Sequence, residues 1–371
     1  MSTRNTAAFW TSRVTVWQGG DVDLICCEVR QETHDVKSFF FKAADASQFH
    51  FLPGQFITLE LAIGSETINR CYTISSSPTR PHTISITVKR QPNGIVSNWL
   101  HDNMQIGKKI AAFGPSGEFT TADLKAEKTL FLSAGSGVTP LMSMTRAFQE
   151  LAENQDVVFV HSTRSPEDII FLKELDLIAF NQPKFRAGFI CEQIDDVLRG
   201  SSMLAGRLGV EALQQLAPDF KSREIFTCGP APYMAAVRTM LDAAGFDMAH
   251  YHEESFSFDA LPSAIKADIQ ENEVGINPAL NQTGAAFSVQ FTKSERTLNC
   301  DAGEFVLDVA KTAGLRLPFA CSKGVCGTCK SKLLSGKVDM KHGGGIRQRE
   351  IDQGMILICC SKPLTDLVIE K

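Results

Sequence analysis

The spacing of the hydrophobic positions changes twice along the chain, and these changes divide it into three regions. Between residue 24 and about residue 120, short segments alternate or are rich in β-branched residues, with turn residues between them; examples are Val36–Lys42, Gln55–Ile63 and Thr83–Arg90. Short strands at this spacing are typical of a small antiparallel barrel. One helix is predicted within this region, near Ser97–Asn103.

In the second region, from residue 128 to residue 256, buried strands alternate with helices. Lys128–Ser133 is a largely apolar run that leads into Gly135-Ser136-Gly137-Val138-Thr139-Pro140 and a predicted helix, Leu141–Leu151. A strand, a glycine turn and a helix in this order are the layout of a nucleotide-binding crevice. A later strand, Glu224–Thr227, ends in Cys228-Gly229-Pro230 before another helix. We therefore expect a second ligand-facing turn at the same edge of a parallel sheet.

The third region follows a polar stretch without periodicity, Asp259–Gly284, which we interpret as a linker. Strands at Phe287–Phe291 and Thr297–Asn299 and a helix at Glu304–Gly314 come next. The predicted boundaries are 1–122 for an N-terminal segment and the barrel, 123–258 for the α/β domain, 259–284 for the linker and 285–371 for the last domain.

Three cysteines in the last region, Cys321, Cys326 and Cys329, have the spacing C-x4-C-x2-C. This is the ligand pattern of a plant-type [2Fe–2S] cluster, which needs a fourth thiolate further along the chain, and Cys359 can supply it. The alternative is a structural zinc site, but zinc sites usually pair two short C-x2-C units. The spacing therefore favours the cluster, which moves one electron at a time.

Composition narrows the class of protein. The 371 residues are 43% hydrophobic and 21% charged, with a net charge of −5, an ordinary balance for a globular protein of two or three domains. No apolar run reaches the roughly 18 residues that a membrane span needs, and no basic stripe interleaved with aromatic residues suggests nucleic acid. The cysteines outside the cluster motif are scattered in apolar contexts, which favours a reducing cytoplasm.

Two stretches of the barrel region carry candidate binding groups. On a strand, Arg70 and Tyr72 share one face and Thr73 lies on the other; Arg can grip a phosphate, a Tyr ring can cover a flat aromatic system, and a Thr hydroxyl can bond a ring nitrogen. Gly94 and Ser97 stand at a helix start, where free N–H groups attract an anion. Two phosphate sites in one barrel suggest a dinucleotide. The alternatives are an ordinary edge strand and a capped helix on a loop.

These motifs together resemble the signature set of the ferredoxin–NAD(P)⁺ reductase family, followed by a plant-type ferredoxin domain. The likeness covers nearly the whole chain except the first ~20 residues and the linker. It implies a multidomain protein: an antiparallel β-barrel that binds FAD, an α/β domain with a parallel sheet that binds NADH, and an α+β ferredoxin-like (β-grasp) domain with the [2Fe–2S] cluster.

The resemblance also implies a role for each matching position. Arg70 would bind the flavin pyrophosphate, Tyr72 would stack on the flavin ring, and Thr73 would lie near flavin N5. The family's remaining flavin contacts match Lys89, Gly94, Val96 and Ser97, and Phe256 would cover the flavin. The nucleotide contacts match Gly135, Gly137, Thr139, Pro140, Cys228, Gly229 and Pro230, with Cys228 near the hydride-transfer carbon. The cluster ligands would be Cys321, Cys326, Cys329 and Cys359.

Three further stretches, Val96–Asn103, Tyr251–Glu254 and His342–Ile346, resemble members of the family that serve a monooxygenase of glycine betaine. This likeness implies an NADH-dependent oxidoreductase that passes electrons through FAD and the cluster to a Rieske-type terminal oxygenase, one that demethylates glycine betaine or a related quaternary ammonium compound. The alternatives are an NADH reductase of a hybrid-cluster protein and a direct reductase of a small acceptor. NADH is expected over NADPH, because a single basic residue, Arg164, follows the second strand of the α/β domain.

Overall fold

A computed structural model describes residues 15–64, 66–151, 155–195, 200, 202–255, 286–319, 324, 327–342, 346 and 348–371. The chain forms two compact units, Met1–Phe256 and Ser257–Lys371. The predicted linker 259–284 lies outside the described residues. The four predicted domain boundaries therefore stay a prediction.

The N-terminal part of the first unit is a curled antiparallel sheet. Its elements are β1 (Val16–Trp17), β2 (Gly20–Thr33), β3 (Val36–Ala43), β4 (Gln48–Phe49), β5 (Phe56–Ile63), β6 (Glu66–Thr73), β7 (Ile84–Lys89), α1 (Ile95–Asn103) and β8 (Lys109–Ser116). Six strands pair in the order β6-β5-β8-β2-β3-β7, and Ile74 bridges Ile86, so the two edges meet beyond the end of β6. Phe39, Phe41 and Ile57, all fully buried, lie in its core.

The rest of the first unit is a parallel sheet with helices. Its elements are β9 (Lys128–Ala134), α2 (Val138–Glu150), β10 (Asp156–Thr163), α3 (Leu172–Asn181), β11 (Phe185–Cys191), β12 (Met203–Ala205), α4 (Val210–Leu216), β13 (Glu224–Gly229), α5 (Ala231–Ala243) and β14 (Tyr251–Ser255). The strand order is β12-β11-β10-β9-β13-β14. Successive residues of β9 pack into different hydrophobic cores: Phe131 packs on one face of the sheet, and Leu130 and Leu132 pack on the other. Burial on both faces explains why β9 is apolar at successive positions.

The second unit is a small mixed sheet packed on a helix. Its elements are β15 (Ala286–Phe291), β16 (Arg296–Asp301), α6 (Val306–Thr312), β17 (Lys330–Ser335), β18 (Val338–Met340), α7 (Gln348–Asp352), β19 (Met355–Leu357), β20 (Ser361–Pro363) and β21 (Leu367–Glu370). The main sheet has the order β16-β15-β21-β17-β19, in which β15 and β21 are parallel and the other pairs antiparallel. The predicted fold class is confirmed. Among the described helices, none combines the length and the apolar content that crossing a bilayer requires.

Candidate functional site

A crevice for a nucleotide lies at the point where the parallel sheet changes direction. β9 ends at Ala134, and Gly135–Gly137 form a 3₁₀ turn before α2. Gly135 has a φ of +53°, a left-handed conformation that glycine adopts without strain. Because β10 and β13 flank β9 on opposite sides, the crevice opens between the ends of β9 and β13. The glycine turn and Cys228 therefore lie at the same edge.

Two glycines let the backbones of this crevice approach each other closely. A Cβ on Gly137 would lie 2.2 Å from the carbonyl oxygen of Cys228 and 2.6 Å from the amide nitrogen of Gly229. A Cβ on Gly229 would lie 2.8 Å from the ring of Tyr233. At both positions glycine is required because a side chain would collide with neighbouring atoms, and not because of an unusual φ. Together the two glycines allow the two predicted turns to form one site.

The other predicted nucleotide residues lie at the starts of the two helices beside this crevice. Thr139 and Pro140 are buried in the first turn of α2, and the Thr139 hydroxyl donates to the Ser136 carbonyl at 3.1 Å. Pro230 is exposed and directly precedes α5. The N-termini of α2 and α5 therefore face the crevice, as a bound pyrophosphate requires.

Cys228 is fully buried at the end of β13. Burial, and after it the Glu254 carboxylate, raise the pKa of the Cys228 thiol well above its usual value, so the thiol stays neutral. Glu254 is directly opposite Cys228 in the parallel pairing of β13 and β14. Glu254 is not among the site residues predicted from the sequence. It could have been found as a carboxylate at the carboxyl end of a parallel strand, where ligands bind.

The strand β6 carries the three residues that match the flavin motif. Arg70 and Tyr72 are half-buried, and Tyr72 packs against the barrel core, where burial raises the pKa of its hydroxyl. Thr73 is 4% exposed, and its Oγ1 has no hydrogen-bonding partner within the described residues. A buried hydroxyl without a partner is costly, so Thr73 fits a ligand that bonds to it.

The predicted phosphate loop forms the start of α1. Gly94 is the N-cap in an extended conformation without a side-chain cap, so the first N–H groups of the helix are available to an anion. Val96 and Ser97 are buried in the first turn, and Ser97 Oγ accepts a hydrogen bond from the Gln91 amide at 3.1 Å. A Cβ on Gly94 would lie 2.5 Å from Ser97 Oγ.

Lys89 is held in an ion pair at the end of β7. Its Nζ lies 3.2 Å from a carboxylate oxygen of Asp35 in the turn between β2 and β3. Burial raises the pKa of Asp35, but Lys89 and Thr33 outweigh burial and leave that pKa below its usual value. The structure therefore gives Lys89 a protein partner at the place where the resemblance expects a flavin contact.

Two of the four predicted cluster ligands lie in the described part of the second unit. Cys329 and Cys359 are 2% and 5% exposed and belong to one hydrophobic core. The neighbouring Cys360 is also buried, and its thiol lies against Gly324, where a Cβ would be 2.6 Å from Sγ. Cys360 also donates weakly to the Leu357 carbonyl, at 3.5 Å.

Comparison with known proteins identifies the family. Family models match residues 24–121 as an oxidoreductase FAD-binding domain, residues 131–239 as an oxidoreductase NAD-binding domain and residues 289–364 as a 2Fe-2S iron-sulfur cluster binding domain. The chain is 46% identical to the glycine betaine monooxygenase reductase subunit of Chromohalobacter salexigens, covering 95% of this chain and 96% of that protein. The identity to the Pseudomonas aeruginosa subunit of the same name is 44%, with the same coverage.

The chain belongs to the ferredoxin–NAD(P)⁺ reductase family with a C-terminal 2Fe–2S domain. The solved structure of phthalate dioxygenase reductase matches the fold of this reductase with a TM-score of 0.57 at 23% identity, over 95% of this chain and 98% of that chain. The reductase is an oxidoreductase with FAD, NAD and [2Fe–2S] domains, so the predicted enzyme class and cofactors are confirmed.

The residues present fit these groups wherever the structure describes them. The unpartnered Thr73 hydroxyl and the open helix start at Gly94 fit a flavin dinucleotide, and the close approach at Gly137 fits a nicotinamide dinucleotide. The buried thiols of Cys329 and Cys359 fit an iron–sulfur cluster. Three predicted site residues lie outside the described residues: Phe256, Cys321 and Cys326.

Proposed function

We propose that this reductase takes a hydride from NADH and delivers single electrons to a Rieske-type terminal oxygenase that demethylates glycine betaine or a related quaternary ammonium compound. The observation that carries the proposal is the identity of 46% to a glycine betaine monooxygenase reductase subunit over 95% of the chain. When bound, FAD accepts a hydride and releases electrons singly, and the [2Fe–2S] cluster carries them one at a time. The domain boundaries predicted from the sequence belong to the same proposal.

In this proposal the barrel supplies the flavin contacts. Arg70 holds the pyrophosphate, Tyr72 covers the ring, and the Thr73 hydroxyl donates or accepts a hydrogen bond at the ring. The unpartnered Thr73 Oγ1 supports the last of these roles. The open start of α1 at Gly94 holds the second phosphate, with Val96 and Ser97 in its first turn.

At the other side of the reaction centre, Cys228 and Glu254 line the nicotinamide pocket. A thiol with a raised pKa remains uncharged at neutral pH, so Cys228 presents an apolar contact that neither repels nor reacts with the nicotinamide ring. Glu254 adds a carboxylate beside it at the strand end. Gly229 and Pro230 would bind the nucleotide through their backbone.

The proposed choice of NADH over NADPH is supported by the partners of Arg164, the basic residue after β10. Its Nε and Nη2 donate to the two oxygens of Asp168 at 3.1 Å each, and Nη2 lies 3.8 Å from a carboxylate oxygen of Asp35. An arginine at this position accepts a 2′-phosphate in NADPH-dependent proteins. Here the Arg164 guanidinium already pairs with the Asp168 carboxylate, so it has less charge to offer a 2′-phosphate, which supports NADH as the reductant.

The cluster is proposed to be held by Cys321, Cys326, Cys329 and Cys359. The adjacent Cys360 packs its thiol against Gly324, which belongs to the same predicted ligand loop, and donates to the Leu357 carbonyl. The choice of Cys359 as the fourth ligand therefore rests on the match to the family motif, and a comparison of Cys359→Ser with Cys360→Ser tests it. The described cysteines are all free of disulfides, which fits the proposed cytoplasmic location.

The cofactors are tested directly on the purified protein. Acid extraction should release FAD and about two irons per chain. Anaerobic NADH should then bleach the flavin absorbance and develop the electron paramagnetic resonance signal of a reduced [2Fe–2S] cluster. Release of FMN, or of zinc in place of iron, would contradict the assignment.

The partner is tested by coupled turnover. The reductase is mixed with the terminal oxygenase subunit of a glycine betaine monooxygenase, NADH and glycine betaine, and formaldehyde is measured as the product of demethylation. We expect formaldehyde in proportion to the NADH consumed, and none when the reductase carries Cys329→Ser. Rapid NADH-dependent reduction of a quinone, a ferric chelate or nitric oxide, unaffected by Cys329→Ser and without coupled formaldehyde, would favour a direct reductase instead.

A further inference from the structure

One face of α2 is bonded to the chain segment that follows the flavin strand β6. Ser143 donates through its hydroxyl to the Ser76 carbonyl at 2.8 Å, and Arg146 donates through Nη1 to the Ser75 carbonyl. Glu150, one turn further along, pairs with Arg80 at 2.6 Å. Positions 143, 146 and 150 share one helix face. The helix that begins at the glycine turn is therefore attached to the backbone just beyond Thr73.

Arg146 is fixed from three directions. Its Nε and Nη2 donate to the two carboxylate oxygens of Glu174 at 2.7 and 2.6 Å, and its guanidinium lies 4.7 Å from the ring centre of Phe171. Phe171 has a φ of +64°, a conformation that a bulky residue keeps only where the surrounding contacts impose it. The Arg146 side chain is 13% exposed. These contacts aim Nη1 at the Ser75 carbonyl.

The opposite side of Ser75 is held by buried hydroxyl groups. Ser75 Oγ lies 2.9 Å from Ser85 Oγ and 2.9 Å from Thr87 Oγ1, and Thr87 bonds in turn to Ser38 at 2.8 Å. The Ser75 amide also donates to the Ser85 carbonyl at 2.7 Å. Ser75 therefore cannot shift without breaking bonds on both sides. Thr73 is the last residue of β6, two residues before Ser75, with Ile74 bridged to Ile86 between them, so the position of Thr73 is tied to that of Ser75 through the backbone.

We propose that Arg146 is a positioning residue that sets the distance between the nicotinamide crevice and the flavin strand. A bond to the Ser75 carbonyl constrains the backbone that directly continues β6, whereas a bond to a side chain would leave this backbone free to move. Arg146 thus links the helix that starts at the crevice to the strand that ends at Thr73. The inference rests on the proposed function, because it assigns flavin to Thr73 and nicotinamide to the crevice.

The test uses the holoenzyme and three variants. Arg146→Met removes the fork and the bond to Ser75 but keeps the aliphatic length, and Arg146→Lys keeps the charge. Arg186→Met is the control, since Arg186 is a half-exposed arginine of β11 in the same α/β sheet region, and among the described residues it pairs with Asp156, at 3.5 Å. The measurements are the rate of flavin reduction at saturating NADH in anaerobic stopped flow, the KM for NADH, and the visible circular dichroism of bound FAD.

For Arg146→Met we expect a reduction rate about 10- to 100-fold lower, because a misplacement near 1 Å costs about that factor. The KM for NADH should change by less than about 3-fold, because the crevice itself is intact. The circular dichroism of bound FAD should change in shape. Arg146→Lys should recover part of the rate, and Arg186→Met should match the wild type.

A wild-type reduction rate and an unchanged flavin spectrum in Arg146→Met, with only a lower melting temperature, would overturn the proposal and leave Arg146 a stabilising residue. If Arg146→Met does not fold, Arg146→Lys decides the question by the same two measurements. A wild-type protein that contains no FAD, or whose flavin NADH does not reduce, would instead refute the proposed function.

Discussion

Gly137→Ala is expected to damage the crevice through a single added methyl group. The new Cβ would lie 2.2 Å from the Cys228 carbonyl oxygen, 2.4 Å from its carbonyl carbon and 2.6 Å from the Gly229 nitrogen. Ordinary carbon–oxygen contacts are about 3.3–3.6 Å, so the turn and the end of β13 must separate by roughly 1 Å. All three neighbours are backbone atoms of a central strand, and no flexible side chain can absorb the shift.

The separation has two measurable consequences. Overpacking of this kind costs about 1–3 kcal/mol, which corresponds to a fall in melting temperature of roughly 2–12 °C for a unit of this size. A displacement near 1 Å between the crevice and Cys228 should also slow flavin reduction by about 100-fold. Differential scanning calorimetry and anaerobic stopped flow with NADH measure the two effects on the same preparation.

Two alanine variants separate contact from conformation. Gly200→Ala is the neutral control, since no atom of the described residues lies within 4 Å of the position where its Cβ would be. Gly135→Ala places a Cβ at a φ of +53°, and no atom in the part of the chain that the structure describes lies within 4 Å of it. The substitution therefore adds the strain of the left-handed conformation, about 1–2 kcal/mol. Wild-type melting and reduction in Gly137→Ala would refute the contact argument, and equal damage in both turn variants would attribute the effect to the backbone conformation.

Three further predictions concern other parts of the molecule. Cys329→Ser and Cys359→Ser should abolish electron delivery to one-electron protein acceptors but keep NADH–ferricyanide activity, whereas Cys360→Ser should be mild; an essential Cys360 with a dispensable Cys359 would contradict the assigned ligand. The Arg223 side chain is fully buried, donates to both carboxylate oxygens of Asp219 and pairs with Asp156. Arg223→Met should therefore lower the free energy of unfolding, measured in urea, by about 3–5 kcal/mol. A loss below about 1 kcal/mol would count against this buried pairing. Burial lowers the pKa of His161 from 6.5 to about 3, so stability that is present above pH 6.5 should be lost as the pH falls toward 3, by up to about 1.4 kcal/mol per pH unit. His161→Gln should show a shallower dependence in calorimetry between pH 6.5 and 4.5, and identical slopes would refute the assignment.

The sequence predicted those features that are formed by residues close to one another in the chain. The glycine turn at 135–137 and the strand motif at 70–73 are local, because consecutive backbone atoms form them. The ligand spacing of Cys321, Cys326 and Cys329 is local in the same way and stays a prediction. The change from alternating to continuous apolar patterns likewise predicted the barrel and the parallel sheet, and only the ends of these elements differ; α2, for example, begins at Val138 rather than Leu141.

The tertiary structure decided which distant side chains meet. Arg146 and Ser75 are 71 residues apart in the chain, and nothing in either local pattern selects them as partners. Glu254 lies beside Cys228 because of the register in which β13 and β14 pair. A shift of one residue in this register would turn the Glu254 side chain to the other face of the sheet. Lys89 matches one of the family's flavin-contact positions, yet in the fold it pairs with Asp35. Such pairs are set by the packing of whole elements against each other, and local sequence patterns do not predict this packing.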